Sequence, residues 1–337
     1  MTTAYLPPEY KGPDRKLLDK LTAFDFSENV KFYFCSQCGT KVLLHCPTND
    51  ETVSKWEILI GTLEEADTSV IRVEKHICIS DTLDGGLADF LTNIDGRQIK
   101  RYARMSDSEE LPLGWRAPDR PEVRVPHAGE RLHGYCKCKG VELWLAAPSA
   151  RSQHPHEAYE TRPFPMITSL SLDETEHWWL RDHGKRFRAA LCPCDSCRLA
   201  ANGTAFAEWA YLPTVDISLD AGGKISVPKS LKWGTIRHWQ TPNATQAFCG
   251  RCGAIIFWST HARPYLQDYG IGLFESADGA RAESWFRWRT ADLRHREDGL
   301  RRAPELTLAV EKGLQEYGKT TQRSLPGHDR EAAEGHR

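Results

Sequence analysis

No stretch of the 337 residues approaches the roughly 18 consecutive apolar side chains that a membrane-spanning helix needs. The opening residues, 1–16, carry neither the apolar centre nor the small-residue cleavage site of a secretion signal. An excess of charge is also missing: 44 Lys and Arg face 46 Asp and Glu, for a net of −2, so no uniform field exists to hold nucleic acid or anionic lipid. No phosphate-cradling glycine loop, dinucleotide fingerprint or nucleophile elbow occurs. With 40% apolar residues the chain is nonetheless rich enough to fold, and its length suits about two domains. The expectation is a soluble cytoplasmic protein with no nucleic-acid or membrane partner.

Cysteine is the abundant exception. There are eleven, an odd number, and most fall in C-x-C, C-x-C-x-x-C or C-x-x-C groups. Such spacings are too short for ordinary disulfides within a group, but they suit thiolates converging on one metal, zinc above all in a reducing compartment.

The chain also repeats itself. Phe34-Cys35-Ser36-Gln37-Cys38-Gly39 returns as Phe248-Cys249-Gly250-Arg251-Cys252-Gly253, each copy running into a strand-like apolar stretch. Gly61-Thr62-Leu63-Glu64 is echoed by Gly272-Leu273-Phe274-Glu275 at nearly the same spacing. The later copy has two further cysteine groups upstream, and their counterparts in the earlier copy would fall before Met1. Residues 1–105 are therefore expected to be the C-terminal half of a repeated unit. Residues 106–130, with Pro112, Pro118, Pro121 and Pro126 among charges, read as a linker. The complete unit then spans 131–312, and 313–337 reads as a disordered tail, charged and glycine-containing toward its end. A second proline-rich stretch, 148–165, reads as a surface loop whose His154 and His156 are solvated. Strands are expected at 141–145, 208–212 and 254–258, and helices at 87–91 and 305–316.

Seven thiols of the later copy carry the chemistry. Four close one tetrahedral zinc site and three leave a second with an open corner, which is the division between structural and catalytic zinc. Cys249 and Cys252, followed by Gly253, have the form of a zinc knuckle and pair with the other two-cysteine group, Cys136 and Cys138. Cys192, Cys194 and Cys197 remain as the open site. A buried-thiol reading, with the cysteines acting only as small apolar side chains, is the alternative. It suits the isolated Cys46 and Cys78, and Cys35 with Cys38 stays metal-free unless Cys46, Cys78 or His45 completes a shell. Three thiolates leave a zinc site at −1, so a soft sulfur ligand held as thiolate is a better fourth partner than an acidified water. Arg198 and Arg251 are candidates for gripping a substrate carboxylate or, equally, for offsetting thiolate charge. His133, His177, His183, His238 and His261 are possible acids or bases with no recognisable catalytic neighbour.

The order C-x-C, C-x-C-x-x-C-R and C-x-x-C-G, with Gly-Leu-Phe at 272–274 after the last, resembles the glutathione-dependent formaldehyde-activating enzyme and centromere protein V (GFA domain) family, most of all its fungal tandem-domain members. The resemblance covers about residues 132–289. His76 and the Asp81 to Gly86 stretch suggest a truncated relative in the first copy. Where many members place Ser or Thr before a glycine, this chain has Asn202-Gly203. The resemblance implies a mainly β, Mss4-like β-tent fold with two zinc ions per chain. It also implies carbon–sulfur lyase-type activity joining glutathione and formaldehyde as S-(hydroxymethyl)glutathione. The rival class is a non-catalytic zinc module that binds thiols or proteins.

Overall fold

A computed structural model describes residues 3–7, 9–47, 55–155, 177–201 and 203–322. His156, Asn202 and most of the proline-rich stretch 148–165 lie outside the described residues.

The chain is mainly β, with antiparallel pairing dominant. Alternation explains the strands. In Val30–Cys35 every second side chain turns inward, burying Phe32 and Phe34 while Lys31 and Tyr33 face outward. In Glu142–Ala146 Leu143 and Leu145 are buried and Trp144 lies on the opposite face. The first copy forms a five-stranded sheet in the order Thr3–Tyr5, Trp56–Leu59, Lys41–His45, Val30–Cys35, Leu21–Ser27. The later copy contributes a three-stranded sheet of Arg131–Tyr135, Glu142–Ala146 and Ile217–Ser218. Its larger sheet runs Leu180–Arg181, Arg186–Cys192, Ala207–Pro213, Leu266–Gly270, Ile255–Thr260, Ala244–Cys249, Ile236–Gln240, and Phe286–Trp288 pairs in parallel with Arg186–Cys192.

The two knuckle regions share a strand pattern. In both copies a four-strand meander turns through the cysteine knuckle, at 35–39 and at 249–253. Both meanders slip register one step before the first cysteine, between Tyr33 and Phe34 and between Ala247 and Phe248. The last meander strand runs into a 3₁₀ turn in each case, Ile60–Thr62 and Ile271–Leu273.

The two copies interlock rather than sit apart on a linker. A Cβ on Gly39 would lie 2.5 Å from the Phe248 ring and one on Gly253 would lie 2.6 Å from Phe34, so each knuckle glycine is the seat for the other copy's phenylalanine. Both glycines also hold positive φ, 79° and 68°, which a side chain would resist. A charged cluster is buried at another contact between the copies. Arg281 is 0% exposed, 3.2 Å from Asp89 and 3.7 Å from Asp84 of the first copy, and 3.6 Å from Glu283. The 106–130 stretch packs along this cluster: Arg116 pairs with Asp89 at 2.9 Å and Arg120 with Glu283 at 3.4 Å.

Two boundaries differ from the sequence reading. The helix expected at 87–91 is a 3₁₀ turn, Gly86–Phe90, because Gly85 and Gly86 both hold positive φ at its start. The helix expected at 305–316 runs Pro304–Thr320, with Pro304 at its first position. Residues 313–320 are thus its last turns, not the start of a tail. Gly313, Leu314 and Tyr317 are buried there, Gly313 lies against the Phe90 carbonyl, and the Tyr317 ring is 5.1 Å from that of Phe90. Residues 323–337 lie outside the described residues.

Candidate metal centres

Two loops build the larger thiol cluster. Cys136 and Cys138 lie in the turn between Arg131–Tyr135 and Glu142–Ala146, where Cys136 N–H donates to the Val141 carbonyl at 3.0 Å and Lys139 takes a positive φ of 53°. Cys249 and Cys252 lie in the knuckle, tied by Cys249 N–H to Ala254 O at 2.8 Å and Gly253 N–H to Cys249 O at 2.9 Å. The four Sγ atoms lie within 4.8 Å of one another, with Cys136–Cys138 at 3.6 Å and Cys138–Cys249 at 3.5 Å. Metal–sulfur bonds of about 2.3 Å in a tetrahedron require edges of about 3.8 Å, so the four thiols could hold a metal ion with little movement. Cys249 Sγ also meets the Thr235 hydroxyl at 3.0 Å and the Arg251 N–H at 3.4 Å, contacts that steady a thiolate ligand. Hydrogen bonds from the Cys136 and Cys252 thiols push the Cys249 pKa far down, the behaviour of sulfurs that share negative charge. A cation from the other copy faces this charge. Burial lowers Lys41 to about 8, while the thiolates of Cys252, Cys249 and Cys136 oppose that shift.

Cys192, Cys194 and Cys197 form the second cluster, their Sγ atoms again within 4.8 Å of one another. Cys192 ends the buried strand Arg186–Cys192, and Cys194 caps the short helix Asp195–Ala200, its sulfur accepting from Cys197 N–H at 3.4 Å. Trp209 Nε1–H donates to Cys197 Sγ at 3.3 Å. Hydrogen bonds from Cys192 and Cys197 pull Cys194 down to about 2, and His295 adds a smaller pull in the same direction. Cys194 in turn raises the neighbouring Cys192 to about 12. Three ligands leave a tetrahedral ion one position short.

The first copy's knuckle has the same backbone. Cys35 N–H reaches Thr40 O at 2.9 Å and Gly39 N–H reaches Cys35 O at 2.8 Å. Among the described residues, however, no third His, Cys, Asp or Glu joins Cys35 and Cys38. The His45 ring lies on Trp56, 4.6 Å between centroids, Cys46 is half-buried and Cys78 is exposed.

Arg198 is committed elsewhere. Its Nε lies 2.8 Å from Asp195 and its Nη1 donates to the carbonyl of Gly61, in the first copy. Arg251 is exposed, at the edge of the four-thiol cluster. None of the five histidines named from the sequence enters a thiol cluster. His133 stacks on Trp144, His177 lies against Trp179, His183 sits in a turn at φ 56°, His238 bonds Leu231 O at 3.0 Å and His261 is exposed.

The residues that do surround the three-cysteine cluster carry little sequence signal. Besides Trp209 and His295 they include Tyr211 and Arg294, whose guanidinium carbon lies 5.6 Å from the centre of the Tyr211 ring. Only the period-2 placement of Trp209 and Tyr211 on one strand hints that both share the face of Cys192. An open cleft of about 660 Å³ is lined by His295, Asp298 and Glu311 among others, and by none of the three cysteines.

Known proteins add little. No family model and no curated protein matches the chain. A crystal structure of a Rhodobacter sphaeroides protein, a structural genomics target, aligns at 14% identity with a TM-score of 0.25, covering 47% of this chain and 99% of that one.

Proposed function

We propose that the chain is a zinc-dependent carbon–sulfur lyase-type enzyme of the GFA domain kind, with a β-tent fold, acting on a thiol adduct in a reducing, cytoplasmic setting. The observation that carries this is the division of seven thiols into a closed set of four and a set of three with a free corner. Zinc at Cys192, Cys194 and Cys197 would supply a position where an added thiol is kept as thiolate near neutral pH.

The chain's own residues frame that corner. Cys192 and Cys197 are fixed by the sheet and by the Trp209 indole, and Cys194 by the helix it caps. With glutathione and formaldehyde, the thiol sulfur attacks the carbonyl carbon, a carbon–sulfur bond forms, and the thiol's proton ends on the former carbonyl oxygen as S-(hydroxymethyl)glutathione. The addition also proceeds unaided, so the enzyme's part is to hold the sulfur deprotonated and in place.

Exchange NMR separates catalysed from spontaneous addition. The zinc-loaded protein should raise the exchange rate, and Cys194→Ser should abolish that gain while the chain stays folded. Two bound zinc ions with no acceleration would replace this reading with that of a non-catalytic zinc module.

A further inference from the structure

One face of the large sheet leads away from the three-cysteine cluster. Strand register places Trp209 beside Ala190, two residues from Cys192 on the same face, then Tyr211 beside Asp268, then Asp268 beside Trp258. Trp178 closes over this row, its ring 4.9 Å from Tyr211. Two arginines reach onto it and their circumstances differ. Arg263, 5.5 Å from the Trp258 ring centre and 5.6 Å from that of Trp178, is neutralised by Asp268 at 2.7 Å. Arg294 lies half-buried over Tyr211, and among the described residues no carboxylate pairs with it. Its backbone N–H is tied to Leu191 O at 3.3 Å, the residue before Cys192, and from there its side chain reaches over Tyr211.

An arginine stacked on an aromatic ring keeps its hydrogen-bonding edge free and oriented for a planar anion. A three-thiolate site that accepts a fourth thiolate gathers negative charge, and any carboxylate on the entering molecule would be repelled without a cation beside it. Arg198, spent on Asp195 and Gly61, is not that cation.

We infer that Arg294, held over Tyr211, receives the carboxylate of the thiol that enters the three-cysteine site. This rests on the thiol-ligation reading above. Arg294 acts in binding and is a specificity-determining residue.

The test is calorimetric titration of the full-length, zinc-loaded protein with 3-mercaptopropionate and with its neutral amide. Wild type should bind the carboxylate at least about ten-fold more tightly, as a charge-assisted pair provides. Arg294→Gln should bind both alike at unchanged zinc content, and Arg294→Lys should recover part of the preference. Equal binding of the two thiols by wild type, or a preference that survives Arg294→Gln, overturns the assignment while leaving thiol ligation standing. Binding of neither thiol by wild type removes both. Loss of zinc from Arg294→Gln would make the arginine a counter-charge for the thiolates and overturn its role in recognition.

Discussion

The two knuckles of this protein share a backbone and differ in what lies next to them. Both are meander turns with a register slip, the same pair of loop hydrogen bonds and a glycine at positive φ. In the later copy, Cys249 and Cys252 meet the turn that carries Cys136 and Cys138. In the earlier copy, among the described residues, no second cysteine turn joins Cys35 and Cys38. The contrast continues along the sheet. Beside Leu266–Gly270 the later copy has Ala207–Pro213 and then Arg186–Cys192, which delivers the three-cysteine cluster. Beside Trp56–Leu59 the earlier copy has, among the described residues, the short strand Thr3–Tyr5 as the sheet edge. A four-cysteine cluster thus needs a second loop beside the knuckle, as the turn of Cys136 and Cys138 provides. The earlier copy serves instead as packing. It supplies Phe34 to Gly253, Lys41 to the four-thiol cluster, and the 3₁₀ turn at Gly61 to the cysteine helix, where Gly61 N–H bonds Gly203 O at 2.8 Å.

The comparison breaks most visibly at the cysteines. Cys136→Ser or Cys249→Ser should unfold the later copy, because a structural zinc site contributes on the order of 10 kcal/mol, whereas replacing Cys35 and Cys38 together should leave zinc content unchanged. Circular dichroism with elemental analysis reads both, and a zinc ion lost from the double variant would mean that the earlier knuckle binds metal after all.

Next comes the joint between the copies. Arg281→Met leaves Asp84, Asp89 and Glu283 buried without their shared cation, and should cost about 3–5 kcal/mol in denaturant unfolding. A cost near zero would mean that the copies do not depend on this cluster.

The knuckle glycines test the pseudo-symmetry directly. Gly39→Ala and Gly253→Ala each force a methyl group toward a phenyl ring from a left-handed backbone, and each should destabilise by about 2 kcal/mol. Unequal costs would show that the two contacts are not equivalent.

The mildest effect near neutral pH belongs to His76, in the earlier copy. Burial lowers it to about 4, and its Nε2 lies 2.8 Å from Leu91 O. A base whose folded pKa is depressed contributes stability that is complete above the unfolded value of about 6.5 and is lost as pH falls toward 4, since the unfolded chain takes up the proton first. His76→Gln should flatten the fall in melting temperature between those values; an unaltered slope would assign it to other groups.

Much of this was legible in residue order because it is local. Alternating side chains mark strands such as Val30–Cys35, and C-x-x-C-G marks a tight turn with sulfurs on one side, since a few neighbouring residues determine both. The duplication and the grouping of cysteines belong to the same class of information. Long-range partners do not. Arg198 reads equally as a substrate-binding residue or as a counter-charge beside its cysteines, but its guanidinium reaches a carbonyl 137 residues away. Arg294 carries no motif, and only the return of the chain after Phe286–Trp288 lays it over Tyr211 beside the strand that ends in Cys192. Residue order thus determined the hairpins, the thiol groups and the repeat, because turn geometry and side-chain alternation act over a few residues. The tertiary structure decided how the copies interlock and which cations face the sulfurs, because burial and charge pairing depend on whatever segments the fold brings together.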